Sequence, residues 1–172
     1  MTKHQNETFK SDIKSVIIGV LIATLFFLCT KVLSNWFDNP VIVSGNSMFP
    51  TYKNDDILRA TKKFTKDSLT CGDVVVFKIG FKQYIKRIIA TPGDTITVEN
   101  GQFVVNDIVI DEPLCDLMED AGILDNTTIT LADDEFFCAG DNRNNSNDCR
   151  AFGPIKFENI RLLVKSYWNE KS

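Results

Sequence analysis

One uncharged run near the N-terminus constrains the fold more than any other feature of the sequence. Residues 15–30, sixteen in all, contain no charged side chain, and Lys14 and Lys31 flank them. A helix needs roughly 20 residues to cross the hydrocarbon of a bilayer, so this run is short for a span. The Lys31 ammonium can reach the headgroups, which lets the apolar residues after it complete the crossing with Trp36 at the interface. The sequence therefore predicts a transmembrane signal anchor over residues 15–36.

Two other interpretations of this run fit less well. A cleaved signal peptide carries small residues at positions −3 and −1 after its apolar core, and residues 29–34 (Cys-Thr-Lys-Val-Leu-Ser) offer no Ala-x-Ala pattern. A buried helix of a globular core has one apolar face, whereas residues 15–30 are apolar all round. We therefore expect an anchor that is not cleaved.

The charges around the anchor predict its orientation and exclude one class of partner. Residues 1–14 carry three lysines and two acidic side chains. The positive-inside rule makes these residues a cytoplasmic tail and places residues 37–172 outside the cell membrane. The whole chain has 19 basic and 23 acidic residues, a balance that gives no support for nucleic acid as a partner.

The chain after Pro40 has the pattern of a β-sheet protein. Its short apolar runs are rich in Val, Ile, Thr and Phe and are separated by turn residues. Asn100-Gly101 between two of these runs predicts a type I′ hairpin, and residues 111–125 are expected to form a loop. The fold class is therefore mostly β, with one transmembrane helix followed by an antiparallel ectodomain. The predicted strands cover residues 73–77, 83–89, 95–98, 103–105, 108–110, 127–131, 135–138 and 161–168.

Four of the five cysteines fall in the predicted outer domain, and their redox state is open. Cys71, Cys115, Cys138 and Cys149 can form up to two disulfides in an oxidising space, or remain thiols in a reducing one. Their spacing does not match a zinc-binding pattern, so no metal is expected.

The single histidine limits the chemistry of that domain. His4 precedes the anchor, so a hydrolase built downstream has no imidazole base. This excludes Ser-His-Asp and Cys-His hydrolases. The remaining way to activate a serine is a lysine whose pKa, about 10.4 when free, is lowered by burial.

Lys86 and Ser47 are the candidates for such a pair. Strand alternation in residues 83–89 places Lys86 on the opposite face from Arg87. Ser47 follows Gly45 in a bend that can present its hydroxyl and leave backbone N–H groups available for an oxyanion. From the residues alone, two other interpretations stay open: a solvated Lys86 with Arg87 paired to an acid, and a serine that only satisfies a turn.

Taken in order, several segments resemble one enzyme family. They are the anchor, Ser47-Met48-Phe49-Pro50-Thr51, residues 72–77, Tyr84–Asp94 and the Asn-, Asp- and Arg-rich Gly140–Gly153. Together they resemble the type I signal peptidases, membrane-anchored Ser–Lys enzymes that remove signal peptides, in their Gram-positive style. The resemblance covers most of the chain.

The resemblance implies roles for individual residues. Ser47 is expected to be the nucleophile, with its backbone N–H in the oxyanion hole, and Lys86 the general base. Met48 is expected to pack beside this dyad. Ser146 is expected to form a hydrogen bond with Lys86 and orient it.

Three further residues have supporting roles in the resemblance. Asp148 and Arg150 are expected to form a structural ion pair near the site, and Asp141 to hold the loop. No cofactor or metal is implied, and the protein is expected to act as a monomer. Its partners are the signal peptides of exported preproteins and the lipid bilayer.

The chain also departs from the family pattern. Gly45 stands where some members carry a serine hydroxyl for the oxyanion, and Ala90 replaces a glycine after the lysine. Cys149 replaces a serine between the two residues of the expected ion pair, and Tyr52 replaces a leucine. None of these changes removes a catalytic group.

The expected function is therefore an endopeptidase that cleaves exported preproteins after small residues at −3 and −1. The alternative is a pilus-associated assembly factor of the same fold that binds exported subunits without cutting them. A self-cleaving repressor of the related Ser–Lys group has less support, because this chain has an anchor in place of a DNA-binding segment.

Overall fold

The computed structural model describes residues 3–34, 39–110, 115, 117–125 and 127–168. The chain divides into two compact units, Met1–Asp38 and Asn39–Ser172. The first unit contains one helix, α1 (Lys3–Ser34), whose side chains are exposed from residue 14 to residue 30. In the described part of the chain, no helix meets the length and apolarity that crossing a membrane requires. Trp36, predicted at the interface, lies outside the described residues.

The second unit consists of two antiparallel sheets, which confirms the mostly β prediction. The larger sheet has the strand order β1-β2-β11-β3-β4-β9-β10, and the smaller one β7-β6-β5-β8. A single turn of helix, α2 (Cys149–Phe152), follows β9 in the chain. The strands are β1 (Asn39–Ile42), β2 (Ile57–Thr61), β3 (Val74–Ile79), β4 (Lys82–Ala90), β5 (Thr95–Glu99), β6 (Gln102–Val105), β7 (Ile108–Val109), β8 (Ile129–Thr130), β9 (Glu135–Ala139), β10 (Ile155–Lys156) and β11 (Ile160–Tyr167).

The turn between β5 and β6 is the one that its sequence predicts. Asn100 and Gly101 have φ angles of 50° and 75°, the two positive values that a type I′ turn requires. The Cβ atom of a side chain at Gly101 would also lie only 2.9 Å from the Met118 backbone oxygen. Backbone conformation and close packing therefore both favour glycine at this position.

Three strands were missed by the sequence pattern, and each has a local reason. β1 contains Pro40, a residue that sheets tolerate at an edge because it lacks an N–H to donate. β2 carries Arg59 within an apolar run, and β10 has only two residues. The predicted strand over residues 127–131 is reduced to β8.

The centre of the larger sheet, at β3, is buried on both faces, and this positions the site. Within β3, Val75 and Phe77 belong to a core with aromatic residues of β6 and β9, while Val74 and Val76 belong to a second core with Met48. A strand that is covered on both sides reads as a continuous apolar run, as residues 74–77 do. The neighbouring strand β4 pairs with β3 along its length and carries Lys86 into this buried region.

Candidate active site

Ser47 lies in a tight turn that directly follows β1. The preceding Gly45 has φ of 89°, a left-handed conformation that glycine adopts without strain. The Gly45 N–H donates to Asn54 Oδ1 at 2.7 Å. A side chain at Gly45 would meet no atom within 4 Å. The backbone angle, and not a lack of space, therefore favours glycine at this position.

The loop after β9 holds this turn through backbone contacts. The Asn142 N–H donates to the Ser47 carbonyl at 3.0 Å, and Asn142 Nδ2 donates to the Asn46 carbonyl at 3.1 Å. Within the described residues, no hydrogen bond uses the Ser47 N–H. The turn therefore presents a serine whose carbonyl is fixed and whose N–H is available for an oxyanion. The next residue, Met48, is fully buried and anchors the turn in the second core.

Lys86 lies opposite Val75 in the sheet register and points its amine at this serine. Lys86 Nζ donates to Ser47 Oγ at 2.6 Å, and the residue is only 3% exposed. Burial lowers the pKa of Lys86 below its ordinary value of 10.5, and the negative charges of Asp148 and Asp141 act in the opposite direction. The structure thus rules out the interpretation in which Lys86 is solvated.

Arg87, on the other face of β4, is paired to an acid. Its Nε and Nη2 donate to the two oxygens of Asp141 at 2.9 Å and 2.6 Å, and its Nη1 donates to the Gly72 carbonyl at 2.7 Å. Asp141 also accepts a hydrogen bond from Thr51 Oγ1 at 2.5 Å. One buried carboxylate therefore joins β4, the loop after β9 and the turn that holds Ser47.

Asp148 and Arg150 form a second buried pair behind the dyad. Arg150 Nε and Nη2 each lie 2.9 Å from an oxygen of Asp148. Asp148 also caps α2 and accepts the Gly140 N–H at 3.0 Å. Burial alone would raise the pKa of Asp148, but the hydrogen bonds and charge of Arg150, together with the Gly140 N–H, lower it. The pair keeps this loop in one conformation.

Ser146 does not make the hydrogen bond expected of it. Its Oγ is buried and makes no hydrogen bond to Lys86, and its hydroxyl helps to lower the pKa of Asp148. The Ser146 side chain packs against Gly140. A side chain on Gly140 would collide with Ser146 Oγ and with the Ser47 carbonyl, so these two groups approach the bare backbone of Gly140 closely.

A cleft of about 400 Å³ opens beside the dyad, and most of its lining was not found from the sequence. Apolar side chains of β1, β3 and β4 form much of it, and three polar residues besides Ser47 and Lys86 complete it. The sequence analysis did not predict β1, so it could not identify the side chains of this strand as part of the cleft. The lining residues are Val41, Ile42, Ser44, Ser47, Val76, Gln83, Tyr84, Ile85, Lys86 and Asn147.

The remaining departures from the family pattern are accommodated by packing. Cys149 and Cys138 are both buried, and the Cys138 N–H donates to Cys149 Sγ at 3.2 Å. Burial raises the pKa of the Cys138 thiol. All five cysteines are among the described residues, and none is in a disulfide. Ala90 is fully buried, and Tyr52 makes an edge-to-face contact with Tyr167 at 5.4 Å between ring centroids.

Comparison with known proteins gives consistent matches. The family model described as signal peptidase, peptidase S26, matches residues 12–168. Signal peptidase I S of Bacillus subtilis (strain 168) is 31% identical over 167 residues, which cover 86% of this chain and 84% of the relative. Signal peptidase I P of Bacillus subtilis subsp. natto is 37% identical over 152 residues, covering 82% and 80%. A crystal structure of a signal peptidase I from Enterococcus faecalis has 20% identity and a TM-score of 0.46, covering 56% of this chain and 97% of that one.

Proposed function

This chain belongs to the signal peptidase family, peptidase S26, and we propose that it removes signal peptides from exported preproteins by a Ser47–Lys86 dyad. It is a serine peptidase, and the pilus-associated assembly factor is not favoured. One observation carries the proposed dyad. A buried lysine amine lies 2.6 Å from a serine hydroxyl that sits in a glycine-containing turn.

The proposed reaction begins with a neutral Lys86. Burial disfavours the ammonium form, so Nζ can take the proton of Ser47 Oγ across their existing contact. Ser47 Oγ then attacks the carbonyl carbon of the scissile bond, and negative charge develops on the carbonyl oxygen. The Ser47 N–H is available to stabilise that charge.

The same lysine completes the reaction. The Lys86 ammonium gives its proton to the leaving nitrogen, and the signal peptide stays bound to Ser47 as an ester. A water molecule that gives its proton to Lys86 then hydrolyses the ester and restores Ser47. Asp141, Asp148 and Arg150 act in this scheme as positioning residues.

The cleft suits an extended, apolar peptide. β1 is at the end of the larger sheet, so its outer edge can accept a peptide as an additional strand. Val41, Val76 and Ile85 line the adjoining cleft. We propose that these side chains contact the small residues at −3 and −1 of the signal peptide, which is the chemistry expected of a shallow apolar pocket.

We also propose that the uncharged part of α1 anchors a monomeric enzyme in the cell membrane, with residues 1–14 in the cytoplasm and the β-sheet unit outside. Support comes from the uncharged run within a 32-residue helix and from the exposure of its apolar side chains. Protease treatment of intact spheroplasts tests the topology. Degradation of the β-sheet unit without lysis is expected, and its protection until lysis would contradict the proposal.

The dyad is tested with the purified full chain in detergent and a preprotein that carries an Ala-x-Ala site. Ser47→Ala and Lys86→Ala should each abolish the released product. Lys82→Ala, an exposed lysine on the same strand, is the matched control and should cleave at the wild-type rate. Full activity of either dyad variant would disprove the assignment, and binding of the preprotein without product by the wild type would favour the assembly factor.

A further inference from the structure

Three polar side chains in the cleft are not used by the protein itself. Ser44, Gln83 and Asn147 line the cleft with the dyad, and all three are exposed. None of their side chains has a hydrogen-bond partner within the part of the chain that the structure describes. Free amide and hydroxyl groups that converge on a reacting pair are available to a bound substrate.

The three residues differ in their distance from the reacting atoms. Gln83 is three residues from Lys86 along β4, or about 10 Å at 3.3 Å per residue. Asn147 directly follows Ser146, which packs with the Ser47 carbonyl against Gly140. Asn147 thus adjoins the loop residue that packs beside the Ser47 carbonyl, and Gln83 lies farther from Lys86 along the cleft.

The backbone around Asn147 is held firmly. Its neighbour Asp148 is fully buried, caps α2 and is paired with Arg150 by two hydrogen bonds. A donor contributes most to catalysis when its position is fixed before the substrate arrives. Asn147 thus combines an uncommitted carboxamide with a rigid attachment.

The oxyanion of the proposed reaction needs more than one donor to be well stabilised, and the Ser47 N–H supplies one. Gly45, two residues earlier, has no side chain to supply another. We propose that Asn147 Nδ2 donates a second hydrogen bond to the oxyanion that forms on the scissile carbonyl. This inference rests on the proposed peptidase function, and it makes Asn147 a catalytic residue in the strict sense of contacting the reacting atoms.

Kinetics of the full chain in detergent test the inference. Asn147→Ala and the near-isosteric Asn147→Leu should lower kcat about 100-fold, the usual effect of losing one oxyanion donor, while KM stays nearly constant. Asn145→Ala, an exposed asparagine on the same loop, is the control and should match the wild type. An unchanged kcat, or a raised KM alone, would overturn the inference.

A second measurement separates oxyanion stabilisation from a structural role. A peptide aldehyde forms a tetrahedral adduct with a catalytic serine, so Asn147→Ala should weaken its binding by the same factor as kcat. Binding of the corresponding peptide alcohol, which has no carbonyl carbon and forms no adduct, should not change. Equal weakening of both ligands would contradict the inference.

The two hypotheses fail in different ways. If wild-type protein produces no cleavage, or Ser47→Ala remains active, the proposed function is wrong. If wild type cleaves, Ser47→Ala does not, and Asn147→Ala equals Asn145→Ala, only the role of Asn147 is wrong.

Discussion

Lys86 and Arg87 are neighbours on one strand, and the structure treats their charges in opposite ways. Lys86 faces the dyad side, where its hydrogen bond goes to the neutral hydroxyl of Ser47 and burial lowers its pKa. Arg87 faces the other side, where the hydrogen bonds that it donates to the Asp141 carboxylate hold its pKa above the ordinary value despite burial. A strand that alternates its side chains can therefore place a lysine of lowered pKa and a permanent cation on adjacent residues.

The position of the carboxylates explains this difference. Asp141 accepts hydrogen bonds from Arg87 and Thr51, and Asp148 is paired with Arg150. Their charges still reach Lys86 and raise its pKa in part, but neither carboxylate forms a hydrogen bond with its amine. The fold thus keeps acids near enough to organise the site and too far away to hold the lysine in its charged form.

The largest effect is expected when position 86 also carries a permanent charge, which removes the difference between residues 86 and 87. Lys86→Arg should lower kcat/KM by about 10²–10⁴-fold, because a guanidinium cannot act as a general base at any working pH. Cleavage of a preprotein by the full chain measures this, and Lys82→Arg on the exposed end of β4 serves as control. A Lys86→Arg variant that retains more than about a tenth of the activity would refute the need for a neutral amine.

The next test removes the cation on the paired side. Arg87→Met leaves the buried carboxylate of Asp141 without its partner, so the free energy of unfolding should fall by about 3 kcal/mol. Lys86→Met is the matched control and should not destabilise the protein, because it replaces an amine that is already buried without an acidic partner. Denaturant unfolding of the full chain in detergent measures both, and equal losses for the two variants would contradict the comparison.

A smaller change on the same side targets the link to the Ser47 turn. Thr51→Val keeps the shape of the side chain but removes its hydrogen bond to Asp141, and should cost about 1–2 kcal/mol of stability. Unfolding of the variant beside that of wild type gives the value. No loss of stability would mean that the turn does not depend on this contact.

The smallest expected effect is a shift in the pKa of Lys86 caused by a substitution at another residue. Because Lys86 must be neutral, kcat/KM should rise with pH through its lowered pKa. Asp141→Asn removes a charge that raises this pKa, so the rise should move to lower pH. A pH profile of kcat/KM for the folded variant measures the shift, and movement to higher pH would reverse the sign of the argument.

The same lowered pKa affects stability. The unfolded chain binds a proton to Lys86 more tightly than the folded chain does, so the contribution of Lys86 to stability increases as pH rises from the folded pKa towards 10.5. Lys86→Met should remove this part of the pH dependence. Asp148 acts in the same direction at lower pH, because its lowered pKa adds stability at neutral pH that is lost in acid.

The sequence was sufficient to name Ser47 and Lys86 as the candidate pair, which the structure brings into contact, and to predict most strands. With His4 placed before the apolar run, lysine was the remaining base, and alternation in β4 separated Lys86 from Arg87. The local pattern could not decide which of the two is solvated, since that depends on β3 and on the loop after β9. The continuous apolar run of residues 74–77 and the Asn100-Gly101 pair were enough to predict a strand and a hairpin turn, because both signals are local.

The parts that could not be predicted depend on contacts between distant segments. β1 is short and contains Pro40, so the cleft wall that it forms has no strong local signal. Ser146 was expected to orient Lys86, whereas its side chain packs against Gly140. A serine hydroxyl can satisfy many partners, and its rotamer is decided by packing that the sequence does not show.

The contact at Gly140 has a consequence for enzyme engineering. Backbone from the Ser47 turn and the side chain of Ser146 meet there, with no room for even a methyl group. The methyl group of a Gly140→Ala variant would push the loop after β9 away from Ser47, while the side chains of Ser47 and Lys86 are retained. Such a variant offers a substrate trap, a peptidase that can hold its preprotein in the cleft long enough to be captured.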